Sequence, residues 1–218
     1  MNVSNLTLRI IRRKPCSRSF WSSGDSKQGL VQIYSEQRLL GYSCEQMFSV
    51  VSEVERYHSF VPWCKKSLIK KRTPEQLEAE LVVGFPPLGE AYTSTVTLVE
   101  PYLVTAICKD LKMFSHLKTV WKFKPVDEKK NAQKCQLDFA VSFAFKNSSH
   151  AYFSRMFFDE VVKKNVGAFL TQAELRYGRE SIPRQRPVVY ALKWLKLHKI
   201  YSILHMKLGC FYVYIFQS

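Results

Sequence analysis

The residues with the most pointed chemistry run from Glu53 to Ser67 and read EVERYHSFVPWCKKS. Glu53, Glu55 and Arg56 suit a short helix that runs into the unbroken apolar series Phe60-Val61-Pro62-Trp63-Cys64. Pro62 keeps Val61 out of the helical region, so the helix ends there. Such a series at a helix exit needs an apolar cover, either the protein's own core or an apolar ligand. The chemistry on offer is burial, not bond making. Lys65, Lys66, Lys70, Lys71 and Arg72 follow directly. They read either as a solvated strand face or as contacts to anionic lipid headgroups.

Other reactive types are scattered. The cysteines stand at 16, 44, 64, 108, 135 and 210, with no two close enough for a zinc-binding spacing. Reduced, buried thiols fit better than a disulfide scaffold. The histidines at 58, 116, 150, 198 and 205 form no HExxH pattern, and no Gly-rich phosphate loop appears.

Charge is unevenly spread. The formal net charge is +15, yet residues 28–178 carry twenty basic and sixteen acidic residues. The excess therefore belongs to the ends, whereas a nucleic-acid groove needs clustered charge on the folded part. Residues 1–27 hold Arg9, Arg12, Arg13, Lys14 and Arg18 with several serines and one acid, Asp25; Leu6, Leu8, Ile10 and Ile11 offer an apolar face. That is the composition of a mitochondrial presequence, and a disordered basic arm is the plainer alternative.

The elements that must position these residues follow in order. Residues 30–40 read as a first strand. Ser43-Cys44-Glu45-Gln46 has capping-box form ahead of a short helix through Val51. The helix of the opening motif comes next. Strands are then expected over 65–71, 77–83, 92–98, 104–109 and 120–123. The clearest is the last, in which Cys135, Leu137, Phe139, Val141, Phe143 and Phe145 alternate with Gln136, Asp138, Ala140, Ser142 and Ala144. A long helix starts after Asn147-Ser148-Ser149 and ends near Gly178. Its stripe is Ala151, Phe158, Val162, Val166, Phe169, Ala173 and Tyr177, facing the sheet. Gly84-Phe85-Pro86-Pro87-Leu88-Gly89 reads as a mobile hairpin tip carrying two apolar side chains.

This order predicts an α+β fold: a curved antiparallel sheet of about six to seven strands wrapped around a long C-terminal helix. A sheet packed on one helix leaves a hollow suited to an apolar ligand. The candidate lining is Phe60, Val61, Pro62, Trp63, Phe139, Phe143, Phe158, Val162 and Phe169, with Phe85 at the mouth. Each alone is more often core than ligand contact. Enzymatic use of the hollow would need an acid or base aimed into it. Asp138 falls on the outward strand face, and Ser142 and His116 have no evident partners, so no catalytic constellation stands out.

Tyr57, Phe60-Val61-Pro62-Trp63-Cys64 and Ser67 resemble the signature of the mitochondrial coenzyme Q-binding proteins, members of the START-like polyketide cyclase and lipid-transport superfamily. The resemblance continues through Tyr92, Thr93, Ser94 and Val96, then Phe114, His116, Leu117, Trp121 and Phe123, and on to Phe139, Phe143 and the long helix. It covers about residues 30–178. It implies a helix-grip domain over 28–182 that binds ubiquinone, an isoprenoid quinone, as carrier or chaperone rather than catalyst. It also implies no cofactor beyond that ligand and no nucleic-acid partner. The implied setting is the matrix side of the inner mitochondrial membrane, peripheral, beside the coenzyme Q biosynthetic complex and the respiratory complexes. Within the superfamily, a cyclase-like enzyme and a ribosome-associated RNA binder are the alternatives.

Residues 183–218 depart from that family. Lys193, Lys196 and Lys199 recur among Leu192, Trp194, Leu195, Leu197 and Ile200, which reads as a basic amphipathic surface helix. Cys210–Phe216 is apolar but too short to span a bilayer.

Overall fold

The computed structural model describes residues 31–85, 88–109, 114–126, 133–146 and 148–195; the side chains of 85, 88–90, 148–160 and 191–195 fall outside the description. The expected presequence and the end of the tail thus lie outside the described residues. The elements are β1 (Val31–Leu40), α1 (Cys44–Ser52), a 3₁₀ helix (Val54–Ser59), β2 (Cys64–Arg72), β3 (Gln76–Phe85), β4 (Leu88–Val99), β5 (Leu103–Cys108), β6 (Phe114–Pro125), β7 (Cys135–Phe145), α2 (Ser148–Tyr177) and β8 (Val188–Leu195). The strands form one antiparallel sheet in the order β2-β3-β4-β5-β6-β7-β1-β8. This is the expected helix-grip α+β fold.

Local chemistry explains the ends of the helices. The Ser43 side chain accepts from the Gln46 backbone N–H at 3.2 Å, and the Gln46 side chain accepts from the Ser43 N–H at 2.9 Å. That closes the anticipated capping box. At the far end of α2, Gly178 takes φ +82°, a left-handed cap that costs glycine little, and donates to the Glu174 carbonyl at 2.9 Å. The inward stripe of α2 buries Val162, Val166, Phe169 and Ala173, and also Leu170. Tyr177, expected on that stripe, is 39% exposed at the last position of the helix.

The sheet has eight strands, more than expected, because the chain beyond α2 returns to it. Ser181 donates its backbone N–H to the Gly41 carbonyl at 3.0 Å. A Cβ on Gly41 would lie 2.6 Å from the Ser181 nitrogen, so glycine permits this crossing. The chain then adds β8 to the free edge of β1, pairing Tyr34 with Ala191 and Gln37 with Val188. Residues 188–195 are therefore strand, not the surface helix that the spacing around Lys193 suggested, and the sheet extends past residue 182. An unpaired edge beside a Val188-Val189-Tyr190 start outweighs a helical period in so short a segment.

The second departure is in β2. Its register shifts between Cys64 and Lys66 and again between Ile69 and Lys71, two β-bulges in an edge strand. Strict alternation would turn half the cations inward. The bulges break it, so Cys64 and Ser67 are buried while Lys65, Lys66, Lys70, Lys71 and Arg72 are all exposed.

Candidate functional site

Between the sheet and α2 lies an apolar cavity of about 220 Å³. Strand pairing builds one wall by aligning inward positions of neighbouring strands: Leu81 with Tyr92, Ala106 with Thr119, Trp121 with Phe139. The helix supplies Val162, Asn165 and Phe169, and the turn after the 3₁₀ helix supplies Val61 and Pro62. Phe169 anchors the inner end. Its ring meets Trp121 at 4.7 Å, Tyr57 at 5.1 Å and Phe60 at 5.2 Å between centroids, and Trp121 meets Phe139 at 4.5 Å.

Of the residues expected to line the hollow, Val61, Pro62, Phe139, Val162 and Phe169 do so. Phe60 does not; its ring backs the wall, edge-on to Tyr57 and Phe169. Trp63 stands between lining residues Pro62 and Cys64 but is outside the lining, because its backbone takes φ +62° and turns the side chain away. Lys164 Nζ lies 5.9 Å from its ring centroid. Phe143 is buried, but in a separate cluster with Cys108 and Phe114. The Phe85 and Phe158 side chains are outside the described residues. For the hairpin tip only the backbone is placed, with Gly84 opposite Gly89 and Phe85 opposite Leu88.

Pattern reasoning missed Tyr92, Ser94, Leu117, Thr119 and Asn165 in the lining. The strand residues were signalled by alternation through Val96 and Trp121. Asn165 lies three residues after Val162 and four before Phe169, on the buried stripe, but a search for apolar residues passes over it.

The cavity is electrically quiet. Burial pushes the Cys64 thiol up, away from thiolate. Burial likewise raises the Tyr57 and Tyr92 hydroxyls. Tyr57 donates to the Val51 carbonyl, and Ser67 to the Val54 carbonyl. The buried acid Glu36 is held by the Tyr34 hydroxyl at 2.6 Å and Arg38 at 3.0 Å and is not part of the lining. His116 and Ser142, expected to lack partners, pair with each other at 2.8 Å. They lie on the sheet face opposite the cavity, and burial, followed by Lys118, lowers the His116 pKa. Asp138 is on that outward face as expected. Burial opposes its ionisation, but Lys124, Gln37 and Gln136 hold it below the usual carboxylate range. Such a cavity can shelter an apolar molecule and hydrogen-bond to it; it presents no ionised acid or base among the described lining residues.

The five cations beside the motif are unequal. Lys70 pairs with Glu80 and Arg72 with Glu55. Lys65, Lys66 and Lys71 make no salt bridge among the described residues, and the Lys65 stem lies over Gly84.

Residues 40–170 match the family described as polyketide cyclase/dehydrase and lipid transport. Over 150 residues the chain is 45% identical to the "Coenzyme Q-binding protein COQ10 homolog B, mitochondrial" of Xenopus laevis, covering 69% of this chain and 61% of that one. The Drosophila melanogaster "Coenzyme Q-binding protein COQ10, mitochondrial" is 46% identical over 149 residues, 68% and 61% of the two chains. The chain thus spans about three-fifths of the length of these relatives. The Escherichia coli "Ribosome association toxin RatA" is 29% identical over 144 residues, 66% of this chain and 88% of that one. Among solved structures, the Zhui aromatase/cyclase of Streptomyces superposes with a TM-score of 0.56 at 17% identity, covering 67% and 95%, which speaks for the fold alone. The chain belongs to the polyketide cyclase/dehydrase and lipid transport family and is similar to that family's mitochondrial coenzyme Q-binding members.

Proposed function

We propose that this protein binds ubiquinone in the sheet–helix cavity as a non-catalytic carrier or chaperone, on the matrix face of the inner mitochondrial membrane. In that role it supports respiration and coenzyme Q synthesis. The observation that carries the reading is the cavity itself, in a chain similar to proteins named for coenzyme Q binding. Its lining is mostly apolar, which suits a molecule that gains by leaving water. Pockets that enclose a drug-sized ligand run to about 300–1,000 Å³. The described cavity is smaller. It suits the ring and the start of the chain, while a long isoprenoid tail runs out past the Val61-Pro62 turn.

Extraction of the purified full chain and mass spectrometry of the bound lipid tests this. A bound isoprenoid quinone is the expected result. Absence of quinone together with turnover of an aromatic substrate would replace the reading with the cyclase one.

Docking on the membrane falls to Lys65, Lys66 and Lys71, next to the Trp63 turn, with Lys70 and Arg72 already engaged by acids. Each well-placed cation contributes about 1 kcal/mol near an anionic surface, screened by salt. Lys66→Glu with Lys71→Glu is expected to cut cosedimentation with cardiolipin vesicles at low salt. Unchanged sedimentation would remove this patch from the mechanism.

A further inference from the structure

We propose that Asn165 and Tyr92 are the polar contacts for the oxygens of a quinone ring, so that the cavity admits its ligand ring-first and selects for an oxygen-bearing ring over a plain isoprenoid chain. The inference rests on the quinone reading above and adds the part of the site that reads the ligand.

Polar groups around the cavity fall into two kinds. The Tyr57 and Ser67 hydroxyls are satisfied by backbone carbonyls of the same chain. The Asn165 carboxamide oxygen and the Tyr92 hydroxyl have no such partner among the described residues. Asn165 Oδ1 is buried with no hydrogen-bond partner. Tyr92 makes no hydrogen bond among the described residues, though it lines the cavity and its ring is pinned edge-on against Phe114 at 5.6 Å. A buried polar atom without a partner, as Asn165 Oδ1 is, calls for a reason. A ligand that supplies the missing partner is such a reason.

The placement suits a particular ligand geometry. Asn165 enters from α2, whereas Tyr92 enters from β4 with Ser94 and Thr119 on the same sheet wall. A para-quinone carries its two ring oxygens at opposite ends. Lying between helix and sheet, it presents one oxygen to each wall. The Tyr92 hydroxyl, held protonated by burial, donates to a carbonyl. The Asn165 side chain can donate through its amide nitrogen or accept through its oxygen. It can therefore serve a quinone carbonyl or a hydroquinone hydroxyl. A chain of isoprene units offers neither wall a partner, so it leaves both groups unpaired, which is how a site rejects a ligand lacking the polar group.

The test uses the full chain as wild type, Asn165→Leu and Tyr92→Phe, with lipid removed. Two probes are compared: a decyl-substituted dimethoxybenzoquinone and farnesol, which has the chain without the ring. Each variant is expected to weaken the quinone roughly tenfold, the effect of one buried hydrogen bond, and to leave farnesol binding unchanged. The melting temperature of the lipid-free protein stays level or rises for Asn165→Leu, which removes a buried unpaired oxygen, and stays level for Tyr92→Phe. Equal quinone binding by wild type and both variants overturns the inference. So does an equal loss for quinone and farnesol, or a fall in melting temperature that accounts for the lost binding. Failure of the wild type to bind the quinone probe is distinguishable from these: it overturns the quinone reading itself, and the inference with it.

Discussion

At one end of the sheet–helix interface, α1 packs against α2, β5 and β6. Met47, Val50, Val51, Leu137, Val166 and Ala173 are all at 0% exposure there. Away from α1, the 3₁₀ helix and the Val61-Pro62 turn stand beside the 220 Å³ cavity between sheet and α2. The residue types hardly differ: valine, leucine, alanine and phenylalanine line both ends. What differs is a third layer. Where α1 fills the space between sheet and α2, apolar side chains become core; away from it, the same kinds of side chain line a cavity. Hydrophobicity alone therefore does not say which phenylalanines fill the core and which border the cavity.

The sharpest way to break this comparison is to make one substitution at both ends. Ala173→Leu at the solid end has no room to expand into and is expected to cost about 1–3 kcal/mol of stability, with quinone affinity per folded molecule unchanged. Ala106→Leu fills the cavity instead. Lipid-free protein is expected to keep its stability or gain about 0.5–2 kcal/mol, while quinone binding is lost. Chemical denaturation and a quinone titration on both variants check the pair. Losses of equal size would show that the two ends are packed alike.

A smaller effect is expected at the joint between the ends. Glu53, between α1 and the 3₁₀ helix, accepts from both Arg176 terminal nitrogens, at 2.9 and 2.8 Å, and from the Ser49 hydroxyl at 3.1 Å. Burial would raise its pKa, but Arg176 first, then Ser49 and Arg56, outweigh burial and hold it below the usual range. A lowered folded value means that the stabilisation is present above the unfolded glutamate pKa of about 4.3 and is lost as pH falls through the folded value. Glu53→Gln is expected to cost about 1 kcal/mol at neutral pH, modest because the side chain is 31% exposed and the ion pair is screened. Wild-type and variant stabilities should converge in acid. Hydrogen exchange should quicken in the 3₁₀ helix and not in α1; faster exchange in both would show that the joint does not separate them.

Much of this was legible in the chain. The alternating run Cys135–Phe145 has the bounds of β7, although burial alternates only as far as Ala140, since Ser142 and Ala144 on the outward face are covered as well; Ser43 and Gln46 marked the start of α1. Periodicity gives an element's inward face, however, and not how far along that face a cavity extends. Phe139 and Phe143 share a face, yet four residues of strand span about 13 Å, enough to carry Phe143 into the cluster with Phe114. Trp63 has the right type and place but the wrong backbone angle, which no side-chain pattern shows. Asn165 is hidden for the opposite reason: the stripe that places it is read by hydrophobicity, and it has none. The strand at Val188 depends on the open edge of β1, a partner more than 150 residues away in the chain (Ser35 pairs with Tyr190).

The bulges of β2 have a consequence for how this protein lives among copies of itself. A flat sheet edge is a template on which another chain can lay a strand, and repeated addition of that kind builds fibres. At β2 an incoming strand meets two breaks in the hydrogen-bonding ladder and, at each, a lysine doublet exposed to water. It cannot keep register across the breaks, and it would have to strip water from several cations to try. A protein that carries an apolar hollow has particular need of an edge that refuses its neighbours.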